Sequence, residues 1–385
     1  MKKAFLLLFL GFGVIFTISA QNTKKLTKSE ADDITRQLIE VRHQNSIKLF
    51  GDEWRNNLLW NGADSMKFSY KVFGQKPING RALYISMHGG GGAPKEVNDG
   101  QWENQKRLYT PKEGVYFVPR APSDTWDMWH QKYMDHFIEK IIELAVINEG
   151  VNPNKVYVMG YSAGGDGTYQ LAPRLADLWA AAAMSAGHPG DAQIENLRNL
   201  PFAIYMGGKD TPYHRNDLAR AWKLKHDSLS SANPLSYIHD IHIFEQYKHW
   251  MNREDSISMS WMPQFYRNPI PETVTWIQDD VIRERFYWLQ ATEARKQGDR
   301  VVASYYANGH IDITECTSPS IIICLNDAMV NLDKPVEVFY QGKCIFEGIV
   351  PRKESNIKSD VDAYRDTELV FPVKLKVVNN SVQIL

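Results

Sequence analysis

One stretch of this 385-residue chain constrains its fold more than any other. Residues 155–160 read KVYVMG, a short apolar strand; Gly160-Tyr161-Ser162-Ala163-Gly164 follows; residues 165–179, GDGTYQLAPRLADLW, then read as a helix distorted at Pro173. A G-x-S-x-G turn between strand and helix holds serine at the carboxyl end of a strand. Glycines on either side let other segments approach closely, and the helix N-terminus behind favours developing negative charge. The same strand–turn–helix unit recurs around it. RALYISM (81–87), GVYFVPRAP (114–122), AAAAMSAG (180–187), FAIYMGG (202–208) and SYIHDIHIF (236–244) are buried-type strands, and 133–148 and 214–230 are helical. Strands alternating with helices specify an α/β fold, a mostly parallel sheet flanked by helices.

The pattern divides the chain into five parts. Residues 1–20 read as a signal peptide: Lys2 and Lys3 precede an apolar run, and Ser19-Ala20 offers small residues for cleavage. Residues 21–64 form an N-terminal helical segment capped at Ser29, and 65–270 the α/β domain. Residues 271–300 read as a linker or short helix after Pro269 and Pro271. From Val301 to Leu385 short strands and the turns Asn308-Gly309 and Gln341-Gly342 predict a small antiparallel β domain. The composition shift predicts a separable unit with a protease-sensitive boundary between 268 and 300.

The charge balance, 44 Lys+Arg against 45 Asp+Glu, leaves no basic excess to neutralise phosphates, so nucleic acid is excluded as an electrostatic partner. After signal removal no stretch is long and apolar enough to span a membrane. The expected location is therefore outside the cytoplasm, periplasmic or secreted. There one pair among Cys316, Cys324 and Cys344 can oxidise, leaving an odd thiol; the alternative is three small buried hydrophobes. Their spacing matches no zinc site, and neither metal nor cofactor is implied.

A bare serine is a weak nucleophile and needs a base, which needs an orienting acid. Asp210 follows strand 202–208 in GGKDTPY, and His249 follows strand 236–244 in EQYKHW. Both stand at carboxyl ends of strands, where open α/β sheets place their sites. Asp240, Glu245 and Asp191 are alternative acids. His239 and His242 lie three apart on one strand and face opposite sides, so they form neither a metal pair nor a base. His88-Gly89-Gly90-Gly91-Gly92 ends another strand, and its amides suit an oxyanion hole. Gly90 is the first choice and Gly91 the reserve, with the Ala163 amide as second donor. Trp126 and Trp129 follow strand 114–118, and His188 follows strand 180–187; all three are candidates for lining a substrate pocket. Trp250 and Trp261 flank the histidine loop.

HGGGG, GYSAGG, GGKD and KHW, in that order, resemble the α/β-hydrolase superfamily, and within it the exported bacterial esterase and polyhydroxybutyrate-depolymerase-like group related to feruloyl and acetyl esterases. The resemblance covers roughly residues 65–265. It implies Ser162 as nucleophile, Asp210 as acid, His249 as base, and Gly90 with Ala163 as oxyanion hole. No lid insertion or lipid-facing segment is visible, against a true lipase. The expectation is an exported serine esterase acting on a small-molecule or polysaccharide ester. The alternatives are a prolyl-oligopeptidase-like peptidase and a non-catalytic binding protein on the same fold.

Overall fold

A computed structural model describes residues 25–292, 295–378 and 380–385. The signal-peptide reading of residues 1–20 lies outside them. Helix α1 (Lys28–Arg55) begins at a capping box. The Thr27 hydroxyl accepts the Glu30 N–H, and the Glu30 carboxylate accepts the Thr27 N–H. Ala31 of this helix packs against Leu26, Ile357, Val361 and Val370, which ties the N-terminal segment to the far end of the chain.

The central sheet has eight strands: β1 (Leu58–Asn61), β2 (Asp64–Phe73), β3 (Arg81–Met87), β4 (Gly114–Pro119), β5 (Val151–Tyr161), β6 (Ala181–Ser185), β7 (Phe202–Gly207) and β8 (His239–Phe244). Their order is β1-β2-β4-β3-β5-β6-β7-β8. The pairs β1·β2 and β2·β4 are antiparallel; every pair from β4 to β8 is parallel. Strand β1 begins three residues after α1 and occupies part of the segment expected to be helical. Helices α2 (Lys95–Gln105), α3 (Tyr133–Glu149), α4 (Ala163–Arg174) and α5 (Arg215–Ala232) connect the parallel strands. Alternate strand residues enter two separate cores. Leu83, Ile85, Val158 and Ile204 pack on one face, and Tyr84, Tyr157, Met159 and Tyr205 on the other. Both faces are covered, which explains why these strands read as continuous apolar runs. Helix α4 ends one residue past Pro173, and a 3₁₀ turn (Ala176–Leu178) takes over, in line with the expected distortion. After β8 the chain makes a one-turn helix, α6 (Ser258–Trp261).

Two further five-stranded sheets complete the molecule. One is ordered β10-β11-β14-β17-β18 and the other β16-β15-β13-β12-β9. The strands are β9 (Thr273–Ile277), β10 (Arg285–Phe286), β11 (Leu289–Gln290), β12 (Arg300–Tyr305), β13 (His310–Cys316), β14 (Ser320–Leu325), β15 (Val336–Tyr340), β16 (Lys343–Gly348), β17 (Val373–Val378) and β18 (Ser381–Ile384), with α7 (Glu354–Ala363) before β17. All pairs are antiparallel except β13·β15.

Two expectations need correction here. The segment 271–300 is not a linker or helix but supplies β9, β10 and β11. Strand β9 pairs with β12, far along the chain, and β10 and β11 are two residues each about a turn at Tyr287, φ 54°, too short to show a period. The β unit is also not set apart from the α/β domain, because one apolar core runs from the central sheet through Trp276, Phe286 and Trp288 to Val377. Polar contacts cross the same boundary. Buried Arg267 pairs with Asp366 and donates to the Asp177 carbonyl at 2.9 Å. The Tyr287 hydroxyl donates to the Ala176 carbonyl at 2.9 Å, and Asn196 bonds both backbone groups of Ile277. Pro269 and Pro271, the expected start of a linker, sit beside these contacts. Among the described residues no helix is long and apolar enough to cross a membrane. The three cysteines are free thiols; Cys324 is buried and Cys344 is exposed, so the reading of three buried hydrophobes holds for Cys324 alone.

Candidate active site

Strand β5 runs out at Tyr161, and Ser162 turns the chain into α4 at φ 60°, ψ −122°. A non-glycine residue rarely holds such angles, and the packing around it enforces them. A Cβ on Gly160 would lie 2.1 Å from the Gly164 carbonyl oxygen, and one on Gly164 would lie 2.1 Å from that of Met87, so both flanking positions of the motif exclude a side chain. The Ser162 N–H donates to the Ser185 carbonyl at 3.0 Å, tying the turn to β6.

His249 Nε2 lies 2.9 Å from Ser162 Oγ, and His249 Nδ1 lies 2.7 Å from Asp210 Oδ2. The buried carboxylate accepts the Nδ1–H, which leaves Nε2 free to accept the seryl proton. Asp210 is 0% exposed, and among the described residues its Oδ1 has no hydrogen-bond partner; Arg215 Nη1 lies 3.8 Å from it. The turn that carries Asp210 is fixed from β8, with the Gly208 N–H donating to Phe244 and the Lys209 N–H to Tyr247. The rival acids are engaged elsewhere: Asp240 with His242 and Tyr205, Glu245 with Arg220, and Asp191 with Gln170. His239 bonds Asp227, apart from His242.

Three groups position the site in ways the sequence did not assign to them, although His88 opens the glycine motif. Tyr161, the variable residue ahead of the serine, donates its hydroxyl to the His249 carbonyl at 2.6 Å and accepts the Met251 N–H at 3.1 Å, so it clamps the histidine loop from both sides. Asn98 is fully buried at the start of α2. Its Oδ1 accepts the Gly91 N–H at 2.8 Å, and its Nδ2 donates to the Ala93 carbonyl at 2.9 Å. His88 is buried and neutral: Nδ1–H donates to the Gly89 carbonyl at 2.6 Å and Nε2 accepts the Ala121 N–H. Burial pushes its pKa down to about 4.

The glycine run therefore has divided duties. Gly90, Gly91 and Gly92 all hold positive φ, 108°, 76° and 59°. The Gly91 amide is spent on Asn98 and the Gly92 amide on the Asp124 carbonyl. That corrects Gly91 as a reserve donor, because its N–H is held inside the loop. Among the described residues the amides of Gly90 and Ala163 donate to no protein group. Gly90 tolerates no side chain, since a Cβ there would meet Asn98 Oδ1 at 2.1 Å.

Trp129 is also corrected. It is 1% exposed, its Nε1–H donates to the His88 carbonyl at 2.9 Å, and it packs edge-on against that imidazole, so it supports the glycine loop from within the core. Trp126 is exposed at the rim of a cleft of about 340 Å³ that also contains Ser162, Ala163, Asp166, His188 and Arg215. On the other side of the serine a larger cleft of about 710 Å³ is bounded by Gln101, Arg107, His249, Trp250 and Arg253. Trp261 lies elsewhere, against Phe265.

Asp166, in the first turn of α4, accepts the His188 N–H at 2.6 Å, and burial raises its pKa to about 6. A carboxyl whose folded pKa exceeds its unfolded value binds more protons when folded, so its ionisation destabilises the fold as pH rises from about 4 to 6. At neutral pH the cost is on the order of 3 kcal/mol. Asp166→Asn is expected to be more stable than the wild type at pH 7.5, with the difference closing below pH 4. Denaturant midpoints of both proteins across that range check this, and a difference independent of pH would refute it.

Residues 117–265 match the Dienelactone hydrolase family. No curated protein matches the chain. Among solved structures, a thermostable esterase is similar at 15% identity and TM-score 0.42, covering 55% of this chain and 64% of its own, so this chain spans less than two thirds of that protein. A ferulic acid esterase is similar at 12% identity and TM-score 0.39, covering 54% of this chain and 95% of its own. An acetyl xylan esterase from Aspergillus awamori is similar at 15% identity and TM-score 0.36, covering 51% and 93%. The sheet order, the strand–serine–helix turn and the family match over residues 117–265 give the chain an α/β-hydrolase fold.

Proposed function

We propose that this protein is an exported carboxylesterase that works through Ser162, His249 and Asp210. The observation that carries the reading is the continuous hydrogen-bonded line from Ser162 Oγ through His249 to Asp210, at 2.9 and 2.7 Å. Ser162 Oγ attacks the ester carbonyl while His249 Nε2 takes its proton. Asp210 holds the imidazole tautomer and stabilises the imidazolium. The Gly90 and Ala163 amides receive the oxyanion, in a site already formed before the substrate arrives. His249 then gives the proton to the departing alcohol, leaving an acyl-serine. Water, deprotonated by the same imidazole, frees the acid and restores Ser162. The expected substrates are small or saccharide-linked esters. The basic residues and apolar run before residue 20 support export to the periplasm or medium.

Bond type is the point to test. An amide needs a well-placed proton for a poor leaving group, and an ester asks less of the same residues. For a matched ester and anilide of one acyl group, kcat/KM is expected to favour the ester by at least about 100-fold. Efficient cleavage of peptide substrates with only trace ester turnover would replace this reading with the peptidase one.

A further inference from the structure

The reacting serine stands between two clefts, and the imidazole lines only one of them. His249 borders the 710 Å³ cleft, with Trp250 and Arg253; the 340 Å³ cleft contains Ser162 and Ala163 without it. When the tetrahedral intermediate collapses, the carbon–oxygen bond to the alcohol breaks, and that oxygen takes its proton from His249 Nε2. The alcohol therefore departs on the imidazole side. The oxyanion points at the Gly90 and Ala163 amides. The one remaining substituent of the reacting carbon, the acyl group, extends into the smaller cleft.

That cleft is not built for a hydrocarbon. The Asp166 carboxyl borders this cleft and accepts the His188 N–H at 2.6 Å. The Arg215 guanidinium, its side chain 12% exposed, lies 4.7 Å from the Tyr213 ring centroid; its Nη1 donates to the Pro212 carbonyl at 3.5 Å, and among the described residues its buried Nε has no partner. Seating an alkyl chain here would strip a carboxyl and a guanidinium of water and return nothing. Two aromatic rings border the same space and are open to solvent, Trp126 at 71% and Tyr213 at 72% exposure. Tyr213 and His214 both hold left-handed backbone angles, φ 57° and 56°, a strained turn that sets the Tyr213 ring at this rim. Carboxyl, guanidinium and imidazole groups between aromatic faces match a ring that offers hydroxyls at its edge and C–H bonds on its face.

We propose that the acyl side of the substrate is a sugar acid, an esterified hexuronic acid whose hydroxylated ring is held by Asp166, His188 and Arg215 between Trp126 and Tyr213. This rests on the esterase reading and adds which half of the ester carries the sugar. The reaction balances as a hydrolysis: water enters, the ester C–O bond breaks, and free sugar acid and alcohol leave.

The test uses two methyl esters with the same leaving group, the same ring size and the same ring oxygen beside the carbonyl-bearing carbon, the methyl ester of methyl glucopyranosiduronate and methyl tetrahydropyran-2-carboxylate, with acid release followed by titration. The full-length protein is expected to favour the sugar-acid ester by at least about tenfold in kcat/KM. Asp166→Ala is expected to reduce that preference by about tenfold or more, mostly through KM. Should that variant fail to fold, product inhibition of the wild type decides: glucuronate is expected to inhibit at lower concentration than tetrahydropyran-2-carboxylate. Equal or reversed preference, together with Ser162-dependent turnover of p-nitrophenyl acetate, overturns the proposal and leaves the esterase reading standing. No Ser162-dependent turnover of any ester overturns both.

Discussion

Replacing Ser162 with alanine is expected to lower kcat/KM on a p-nitrophenyl ester by about 10⁴–10⁶-fold. The hydroxyl stands at the end of β5 beside the base, and among the described residues its side-chain partner is His249. What survives in the variant is substrate binding and the oxyanion donors, which alone give modest acceleration over water. The elbow is set by backbone packing around Gly160 and Gly164, which the substitution leaves alone. Stability should therefore shift by no more than about 1 kcal/mol. Thermal melts beside the kinetics separate a lost nucleophile from a lost fold. A well-folded variant with activity near the wild type would remove Ser162 from the mechanism.

The second large effect belongs to the acid. Asp210→Asn is expected to cost about 10⁴-fold in kcat. An amide nitrogen facing Nδ1 forces the proton onto Nε2, where it can no longer accept from the serine, and the negative charge that stabilises the imidazolium is gone. The effect should be large here because Asp210 is fully buried, and among the described residues no other carboxylate bonds the His249 ring. Asp240→Asn is the control. Asp240 bonds His242 and the Tyr205 hydroxyl, so its loss should leave turnover within a few-fold of wild type. If Asp240→Asn were dead and Asp210→Asn active, the acid would have to be reassigned.

The legible parts of this protein are those whose signal is local. The parallel strands read clearly because both faces are buried, so each is an apolar run ending in glycine or proline. Ser162, Asp210 and His249 were legible because each follows such a strand at its carboxyl end, and the sheet order then brings the three strand ends together. The positioning groups were not legible. Tyr161 and Asn98 act through single hydrogen bonds to the backbone of loops 88 and 7 residues away in sequence, and no periodicity marks such a bond. Trp129 was misplaced because a tryptophan after a strand reads the same whether it faces a cleft or the core. Here the buried His88 carbonyl accepts its indole N–H and draws it inward. Strand β9 and the short β10 and β11 escaped for a related reason. Their partners are distant or their length is two residues, so tertiary pairing supplied what local pattern lacked.

The central claim is that turnover passes through a covalent intermediate on Ser162. The most direct measurement is the intact mass of the full-length protein after treatment with a fluorophosphonate, followed by fragmentation of the labelled peptide. One adduct per chain, located on Ser162 and formed in parallel with loss of ester hydrolysis, is the predicted result. Complete modification at a different residue, or full hydrolytic activity in protein already labelled at Ser162, would contradict it.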